Sequence, residues 1–313
     1  MTTMPAPHAA KKVRDPRNGL RTSATLATVF TLLGHTVFGF EQSWATVGVA
    51  LGTGYASALL FEWVDAWACG GVPNFMGGGA RKLIDFLLPA HMTSITLSFL
   101  LYTYTELWIT AFTVALSLGA KHVLRVHQRG RLQHFMNPSN FGVAITFALF
   151  QWSSVLPWSF TTNLSGAADW IVPLVIVGLG TRLNLLFTSR LPTIAAWLIS
   201  FTAIGAFRAW MLGSPWAAEM VTLTGIPMVL FTFYMITDPQ TSPSAPKSQV
   251  LYGSSIAVAY ALLLVLQVQY TMFYSVAVVC GLRGLYLGAS NLWATVSERE
   301  TSPVGVLQSS TAA

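Results

Sequence analysis

Three ionisable residues stand out because they lie within long apolar stretches of this sequence. Glu62 and Asp65 are three positions apart, so a helix would place both carboxylates on one face. His91 occurs in the next apolar stretch, after Asp85. An ionisable side chain inside a bilayer costs about 2.5 to 3.5 kcal/mol on insertion scales, which makes such residues functional candidates.

The pattern therefore predicts Glu62, Asp65 and His91 as catalytic residues that form a proton relay, a quinone contact or a cation site. A structural alternative makes Asp65 and Asp85 caps at the membrane interface. In that alternative His91 makes one interhelical hydrogen bond.

Two loops share a pattern of Asn, Asp, Ser and Thr beside proline. One contains Asn137-Pro138-Ser139-Asn140, and the other contains Thr237-Asp238-Pro239-Gln240-Thr241. Such residues cap helices and form turns. Alternatively, helix N-termini and polar side chains form a shallow pocket for an anion or a cofactor there, because unpaired backbone N–H groups favour negative charge.

A third polar segment, Gly180-Thr181-Arg182-Leu183-Asn184, ends an apolar stretch. Arg182 either extends its charge to the membrane surface or holds a phosphate or carboxylate. Together these segments predict a cofactor site formed by Asn137, Ser139, Arg182, Asn184, Thr237, Asp238 and Thr241. No metal site is predicted, although the three histidines between residues 121 and 134 leave metal binding open. Attraction of that basic segment to anionic lipid headgroups, at about 1 kcal/mol per basic residue, is the favoured explanation.

The composition excludes a water-soluble globule. Of 313 residues, 53% are hydrophobic and 9% are charged, against about 25% charged residues in ordinary soluble domains. Several apolar runs have the length of about 20 residues that spans a bilayer. The two cysteines exclude a disulfide framework. The sequence thus predicts an all-α polytopic membrane protein.

Apolar stretches bounded by charges, proline and glycine predict about ten transmembrane helices. They cover residues 24–40, 45–68, 83–102, 105–120, 140–156, 169–187, 191–212, 218–237, 252–269 and 271–288. Of the 17 Lys and Arg residues, only Arg208 falls away from one predicted face. The positive-inside rule therefore places both termini in the cytoplasm, and the net charge of +6 gives no case for nucleic acid.

The same pattern divides the chain into three parts. Residues 1–23 form a basic cytoplasmic segment, and residues 24–288 form a single membrane domain. We expect the polar, small-residue-rich segment 289–313 to be a disordered cytoplasmic tail.

The segments quoted above carry a resemblance to a known family. With its two proline loops, the chain resembles the superfamily of the Rnf complex D subunit and the B subunit of the sodium-pumping NADH:quinone oxidoreductase. It is more closely similar to the UnbU-type membrane proteins of bacterial enediyne antibiotic clusters. That similarity rests on Asp85-Phe86-Leu87-Leu88-Pro89-Ala90-His91, on Asn137–Gly142, on Gly180–Thr188 and on Phe233–Pro239.

The resemblance implies a flavin scaffold without a covalent flavin. In the electron-transport relatives, a threonine within a Ser-Gly-Ala-Thr motif carries FMN through a phosphoester. The counterpart here is Ser165-Gly166-Ala167-Ala168, in which Ala168 has no hydroxyl group to accept that bond. The family relation thus implies non-covalent FMN or riboflavin, a lost flavin, or a different ligand.

For function, the resemblance implies an inner-membrane protein that assists a redox step of enediyne-type biosynthesis. It would pass electrons or cations together with other membrane or cluster proteins, and whether it is itself an enzyme stays open. Two alternatives are a transporter or channel for a small molecule or a flavin, and a membrane scaffold that holds biosynthetic enzymes on its basic face.

Overall fold

The computed structural model describes residues 16–301, apart from residues 41, 129, 156–162 and 164. Most of the predicted segment 1–23 and the end of the predicted tail, residues 302–313, lie outside the described residues, as does Arg129 of the basic segment. The described part of the chain is mainly helical, with two sheets of two short strands each.

The helices follow one another with several local breaks. They are α1 (Pro16–Leu33, continued by a π-helical turn at Gly34–Phe38), α2 (Trp44–Ala68), α3 (Gly79–Leu100), α4 (Leu107–Val123), α5 (Pro138–Leu149), α6 (Ala168–Leu183, continued by a π-helical turn at Asn184–Thr188), α7 (Leu191–Leu212), α8 (Trp216–Met220, followed by a 3₁₀ turn at Val221–Thr224), α9 (Ile226–Leu230, continued by a π-helical turn at Phe231–Met235), α10 (Pro246–Val265) and α11 (Thr271–Thr301). The strands are β1 (Leu101–Tyr102), β2 (Arg125–Gln128), β3 (Arg131–His134) and β4 (Ser154–Val155), where β1 pairs with β4 and β2 with β3, both antiparallel.

Six helices of the described chain are long and apolar enough to cross a bilayer. They are α2, α3, α6 with its π-helical turn, α7, α10 and α11. A seventh crossing results if Trp216–Thr224 and Pro227–Met235, which meet at an angle of 71°, form one broken span. The chain is therefore an all-α membrane protein with several crossings.

Ten crossings stay a prediction, although each predicted stretch contains a helix. The helix α5 has 12 residues, which gives a length of about 18 Å against a hydrocarbon core of roughly 30 Å. The helix α4 has 17 residues. Both helices are apolar, and both pack within the bundle. They differ from the six candidate crossings named above in being shorter.

The helices α7 and α10 pack closely because small residues lie between them. A Cβ atom on Gly253 would lie 2.5 Å from the carbonyl oxygen of Thr193 and 3.0 Å from the backbone nitrogen of Trp197. Ser200 and Ser254 share a hydrogen bond of 2.9 Å across the same interface. Such close backbone approach is the usual way in which helices associate in membranes.

The helices α2 to α5 form a second packed group. Gly54 on α2 faces the Ser94 hydroxyl, and Gly142 on α5 faces Ser117 on α4. Thr113 and Thr146 join α4 to α5 by a hydroxyl pair at 2.7 Å. Outside this group, α1 is tied to α3 by the bidentate ion pair of Arg21 with Asp85, at 2.9 and 2.6 Å.

Candidate functional site

The two proline loops meet although they are 101 residues apart in sequence. Asn137 caps α5 through its Oδ1 atom, which accepts from the Asn140 backbone N–H at 3.0 Å. Its Nδ2 group donates to the carbonyl oxygen of Met235 at 3.2 Å and lies 3.5 Å from Asp238 Oδ2. Asp238 Oδ2 also accepts from the Thr241 hydroxyl at 3.1 Å. We refer to Asn137, Asp238 and Thr241, with Arg190 described next, as the loop junction.

Arg190 is the charged centre of the loop junction, and the sequence pattern does not single it out. Only 5% of this residue is exposed. Its guanidinium donates to Ser242 Oγ at 2.7 Å, to the Thr188 carbonyl at 3.0 Å and to the Pro239 carbonyl at 3.1 Å. Arg190 thus joins the start of α7 to the loop that follows Asp238. Its residue type and position before α7 match those of an ordinary interfacial arginine, so the sequence offers no distinguishing signal.

Asn184 and Thr237 lie next to the loop junction, and Asn184 joins the end of α6 to the helix that precedes Asp238. The Asn184 Nδ2 group donates to the carbonyls of Gly180 and Phe233, both at 2.9 Å. Its Oδ1 atom accepts from Thr188 Oγ1 at 2.8 Å. Thr237 donates from Oγ1 to the same Phe233 carbonyl at 2.7 Å. Asn184 therefore stabilises the contact between two broken helices, and Thr237 stabilises the end of one of them.

The remaining two residues of the predicted cofactor site take no part in these bonds. Arg182 is exposed on α6, and Ser139 is half-buried in the first turn of α5. Five of the seven predicted residues are thus brought together or lie next to one another, while Arg182 is exposed and Ser139 is not bonded to them.

These residues do not fit a bound isoalloxazine in the arrangement seen here. The polar atoms of Asn137, Asn184, Asp238 and Thr241 are directed at one another and at backbone groups of neighbouring segments. Two cavities of the described chain are lined by other residues. We therefore derive no chemical step through a flavin.

Glu62 and Asp65 share a helical face but have different partners. Glu62 Oε1 accepts from the backbone N–H and the side-chain amide of Asn74, at 2.9 and 2.7 Å, which fixes the loop after α2. Asp65 Oδ2 accepts from Arg125 Nη2 at 2.9 Å and lies 3.6 Å from His122 Nδ1. Because 41% of the Asp65 side chain is exposed, this ion pair lies at the protein surface.

His122 and Arg125 share the Asp65 carboxylate. Arg125 Nη2 lies 2.7 Å from His122 Nδ1. A guanidinium can only donate, so His122 Nδ1 accepts in this arrangement and carries no proton. A proton bound at Nδ1 would instead face Asp65 Oδ2. The three residues can therefore hold or release one proton with small movements.

His91 lies apart from this group and joins three helices. Its Nε2 atom is 2.8 Å from Thr28 Oγ1 on α1, and its Nδ1 atom is 2.6 Å from the Tyr55 hydroxyl on α2. Thr28 already donates its hydroxyl hydrogen to the Ala24 carbonyl, so it accepts from His91 Nε2–H. Nε2 therefore carries a proton, and the Tyr55 hydroxyl donates to Nδ1 of a neutral ring or accepts from Nδ1–H of a charged one. His91 makes two interhelical bonds where the structural alternative predicts one.

Lys121 links the Asp65 group to the loop junction. Its ammonium group donates to Thr93 Oγ1 at 3.2 Å, and its carbonyl accepts from Arg125 Nε at 3.0 Å. Asp238 attracts both Lys121 and His134 on β3. Burial lowers the pKa of His134, and the charge of Asp238 opposes that shift. Ionisable groups thus extend from Asp65 to Asp238 along the end of α4.

The histidines of the basic segment show no metal-binding arrangement. Within the described residues, no group of three or more His, Cys, Asp or Glu side chains could hold a metal ion. His122 contacts Arg125, and His127 is exposed on β2.

Comparison of the chain with protein-family models and with curated proteins finds no match.

Proposed function

We propose that this multi-pass membrane protein moves protons or small cations in support of a redox step of enediyne-type antibiotic biosynthesis, in a bacterial inner membrane. The biosynthetic setting comes from the resemblance of the four sequence segments. The observation that carries the proton step is the shared contact of His122 and Arg125 with Asp65.

The chemistry of each group suits a proton path. Asp65 and His122 can each gain and lose a proton, whereas Arg125 keeps its charge and can only donate hydrogen bonds. Arg125 therefore acts as a fixed positive charge beside two exchangeable sites. The charge of Asp238 also acts on Lys121 and His134, and in this proposal these two groups extend the path toward the loop junction. The Asp65 carboxylate lies in the last turn of α2 and is partly exposed, so in this proposal the proton enters at that end.

A flux measurement tests this proposal. Purified protein is reconstituted into liposomes that contain a pH-sensitive dye, and a potassium diffusion potential drives proton entry. We expect Asp65→Asn and His122→Gln each to lower the proton flux by roughly tenfold or more. The control is His127→Gln, which removes an exposed histidine of the same segment and leaves the flux unchanged. Equal flux in protein-containing and empty liposomes would reject the proposal.

A flavin held without a covalent bond stays a prediction from the resemblance. Its test is the absorbance spectrum of protein purified in mild detergent, before and after addition of FMN or riboflavin. A flavin spectrum that follows the protein through gel filtration would mean that the loop junction opens to admit the ring. Absence of that spectrum leaves the proton proposal standing, because no step of it involves a flavin.

Transport of a small molecule is the second candidate function. It is favoured by a cavity near the C-terminal end of α7, the end remote from Arg190. The ion pair of Arg208 and Glu219 lines this cavity. The cavity is distinct from the Asp65 group, so transport and proton movement can be measured separately.

The orientation and the partners of the chain also belong to the proposal. A reporter fused after Ala313 is expected to give a cytoplasmic signal, and an external signal would contradict the even number of crossings.

A scaffold role would use the basic hairpin β2–β3, where Arg131 is exposed while Arg125 is bonded to Asp65. Co-purification of cluster enzymes that survives Arg131→Gln would argue against that role.

A further inference from the structure

A cavity of about 190 Å³ lies between α7, α8 and α10, toward the end of α7 that is remote from Arg190. Its apolar wall includes Phe201 and Ile204 on α7 and Leu264 on α10. The spacing of Phe201 and Ile204 places them on one helical face. An engineered cavity of about 150 Å³ in another protein holds benzene, so this one has room for a group the size of a single ring.

The polar end of the cavity holds two opposite charges that are not hydrogen-bonded to each other. Arg208 Nη1 and Glu219 Oε2 are 3.6 Å apart, beyond the usual 2.7 to 3.2 Å of an N–H···O bond. The two side chains are 24% and 15% exposed. Ser214 Oγ lies 3.4 Å from Glu219 Oε1. The ion pair is therefore mostly withdrawn from water and loosely joined.

This arrangement selects the charge type of a ligand. A simple anion would pair with Arg208 but leave Glu219 uncompensated, and a simple cation would do the reverse. A ligand in the cavity displaces the water that can otherwise hydrate the unpaired charge, and a charge that has neither partner nor water is costly. A molecule that carries both charges compensates both side chains at once. The cavity therefore favours a zwitterion over either single ion.

We propose that this cavity binds a small zwitterionic amphiphile. Its anionic group pairs with Arg208, its ammonium group pairs with Glu219, and its apolar part lies against Phe201, Ile204 and Leu264. Tyr260, which also lines the cavity, supplies a further polar group. Two sources have this chemistry, namely a free amino acid with an apolar side chain and the headgroup of a zwitterionic phospholipid.

Binding of radiolabelled phenylalanine tests the charge requirement. The whole protein is placed in nanodiscs of phosphatidylglycerol, a lipid that has no ammonium group. We expect saturable binding of phenylalanine and at least about tenfold weaker competition by phenylacetate and by phenethylamine, which each lack one charge. Equal competition by either single ion would overturn the proposal.

A lipid arm separates the two sources. If the site is built for a headgroup, phosphatidylethanolamine stays bound through delipidation in native mass spectrometry, and nanodiscs that contain this lipid weaken phenylalanine binding. If the site is built for a free amino acid, phosphatidylethanolamine is lost during delipidation, and nanodiscs that contain it bind phenylalanine as before. Failure of phenylalanine and phosphatidylethanolamine alike to bind would overturn the proposal.

Charge variants identify the residues. Arg208→Gln and Glu219→Gln are each expected to weaken binding by about tenfold or more, whereas Arg182→Gln, on the exposed face of α6, leaves it unchanged. Exchange of the charges, by Arg208→Glu with Glu219→Arg, is expected to restore binding if the single variants lose it. Unchanged binding in both single variants would contradict the assignment. This site is remote from Asp65 and His122, so its failure and a failure of the proton proposal are distinguishable.

Discussion

The two ends of α7 each carry a poorly exposed arginine, and these arginines have different roles. Arg190, at the start of the helix, donates to two carbonyls and a hydroxyl. Arg208, 18 residues later and about 27 Å along the axis, faces one carboxylate at 3.6 Å across a cavity. The hydrogen bonds of Arg190 hold segments of the fold together. Arg208 instead lines a cavity that a ligand can enter. Low exposure alone does not distinguish the two arginines, whereas the hydrogen bonds that their guanidinium groups make do.

The largest expected effect is that of Arg190→Met. This change removes a buried cation and leaves the Thr188 and Pro239 carbonyls and the Ser242 hydroxyl without their donor. Since a hydrogen bond from a charged group contributes about 1.5 to 3 kcal/mol, we expect a loss of roughly 3 to 4 kcal/mol. The measurement is thermal unfolding in detergent, followed by gel filtration. Arg182→Met, on the exposed face of α6, serves as the control and should change stability by less than about 0.5 kcal/mol.

The next effect tests the tight packing of α7 near Arg190. In Gly253→Ala, the new methyl group would meet the Thr193 carbonyl oxygen at 2.5 Å, and backbone atoms cannot move aside as a flexible side chain can. We expect a loss of about 2 to 3 kcal/mol in the same unfolding assay.

Gly281→Ala is the matched control, because its Cβ atom would meet no heavy atom within 4 Å. Alanine has the higher helix propensity, so this variant is expected to be as stable as the original or more stable by up to about 1 kcal/mol. A larger loss for Gly281 than for Gly253 would show that α7 and α10 are not held by close backbone contact.

Asn137→Ala has an intermediate expected effect, because Asn137 connects the start of α5 to the loop junction. The variant loses the cap on the Asn140 N–H and the bond to the Met235 carbonyl. A lost N-cap typically costs about 0.5 to 2 kcal/mol, so we expect about 2 kcal/mol here. Ser139→Ala, two residues further along, is expected to be nearly neutral. Similar losses for the two variants would mean that helix propensity, and not the contact between the loops, determines the result.

The membrane class and several helices were predictable from the sequence, since composition and hydropathy act locally. The predicted stretch 191–212 coincides with α7. The stretch 218–237 is divided, because Gly225 and Pro227 interrupt the helix and proline lacks the N–H that helix bonding needs. The stretch 140–156 ends as a helix at Leu149, and the apolar residues Val155 and Leu101 pair there in a strand contact instead. Hydropathy does not distinguish apolar residues of a membrane helix from apolar residues of a short strand.

The candidate site was predictable only in part, since it depends on which helical faces meet. Proline beside Asn137 and Asp238 predicted capped ends on one side of the membrane, and the structure brings these residues within 3.5 Å. Arg190 gave no comparable signal, because its acceptors are backbone carbonyls and a hydroxyl that tertiary folding brings to it. His91 was grouped with Glu62 and Asp65, but its face of α3 points at Thr28 and Tyr55. Spacing within one helix does not reveal which neighbour that face meets.

The smallest expected effect on stability, from Arg208→Gln, sharpens the contrast between the ends of α7. Water can enter the cavity beside Glu219, and Ser214 lies close to that carboxylate. The remaining acid can therefore be hydrated or protonated after its partner is lost, and its 3.6 Å contact with Arg208 is too long to contribute a strong bond. We expect a loss of about 1 kcal/mol or less in the unfolding assay, well below the loss for Arg190→Met, together with the weakened binding of phenylalanine described above. A loss as large as that of Arg190→Met would mean that both arginines hold the fold together, and the difference between the two ends of α7 would then disappear.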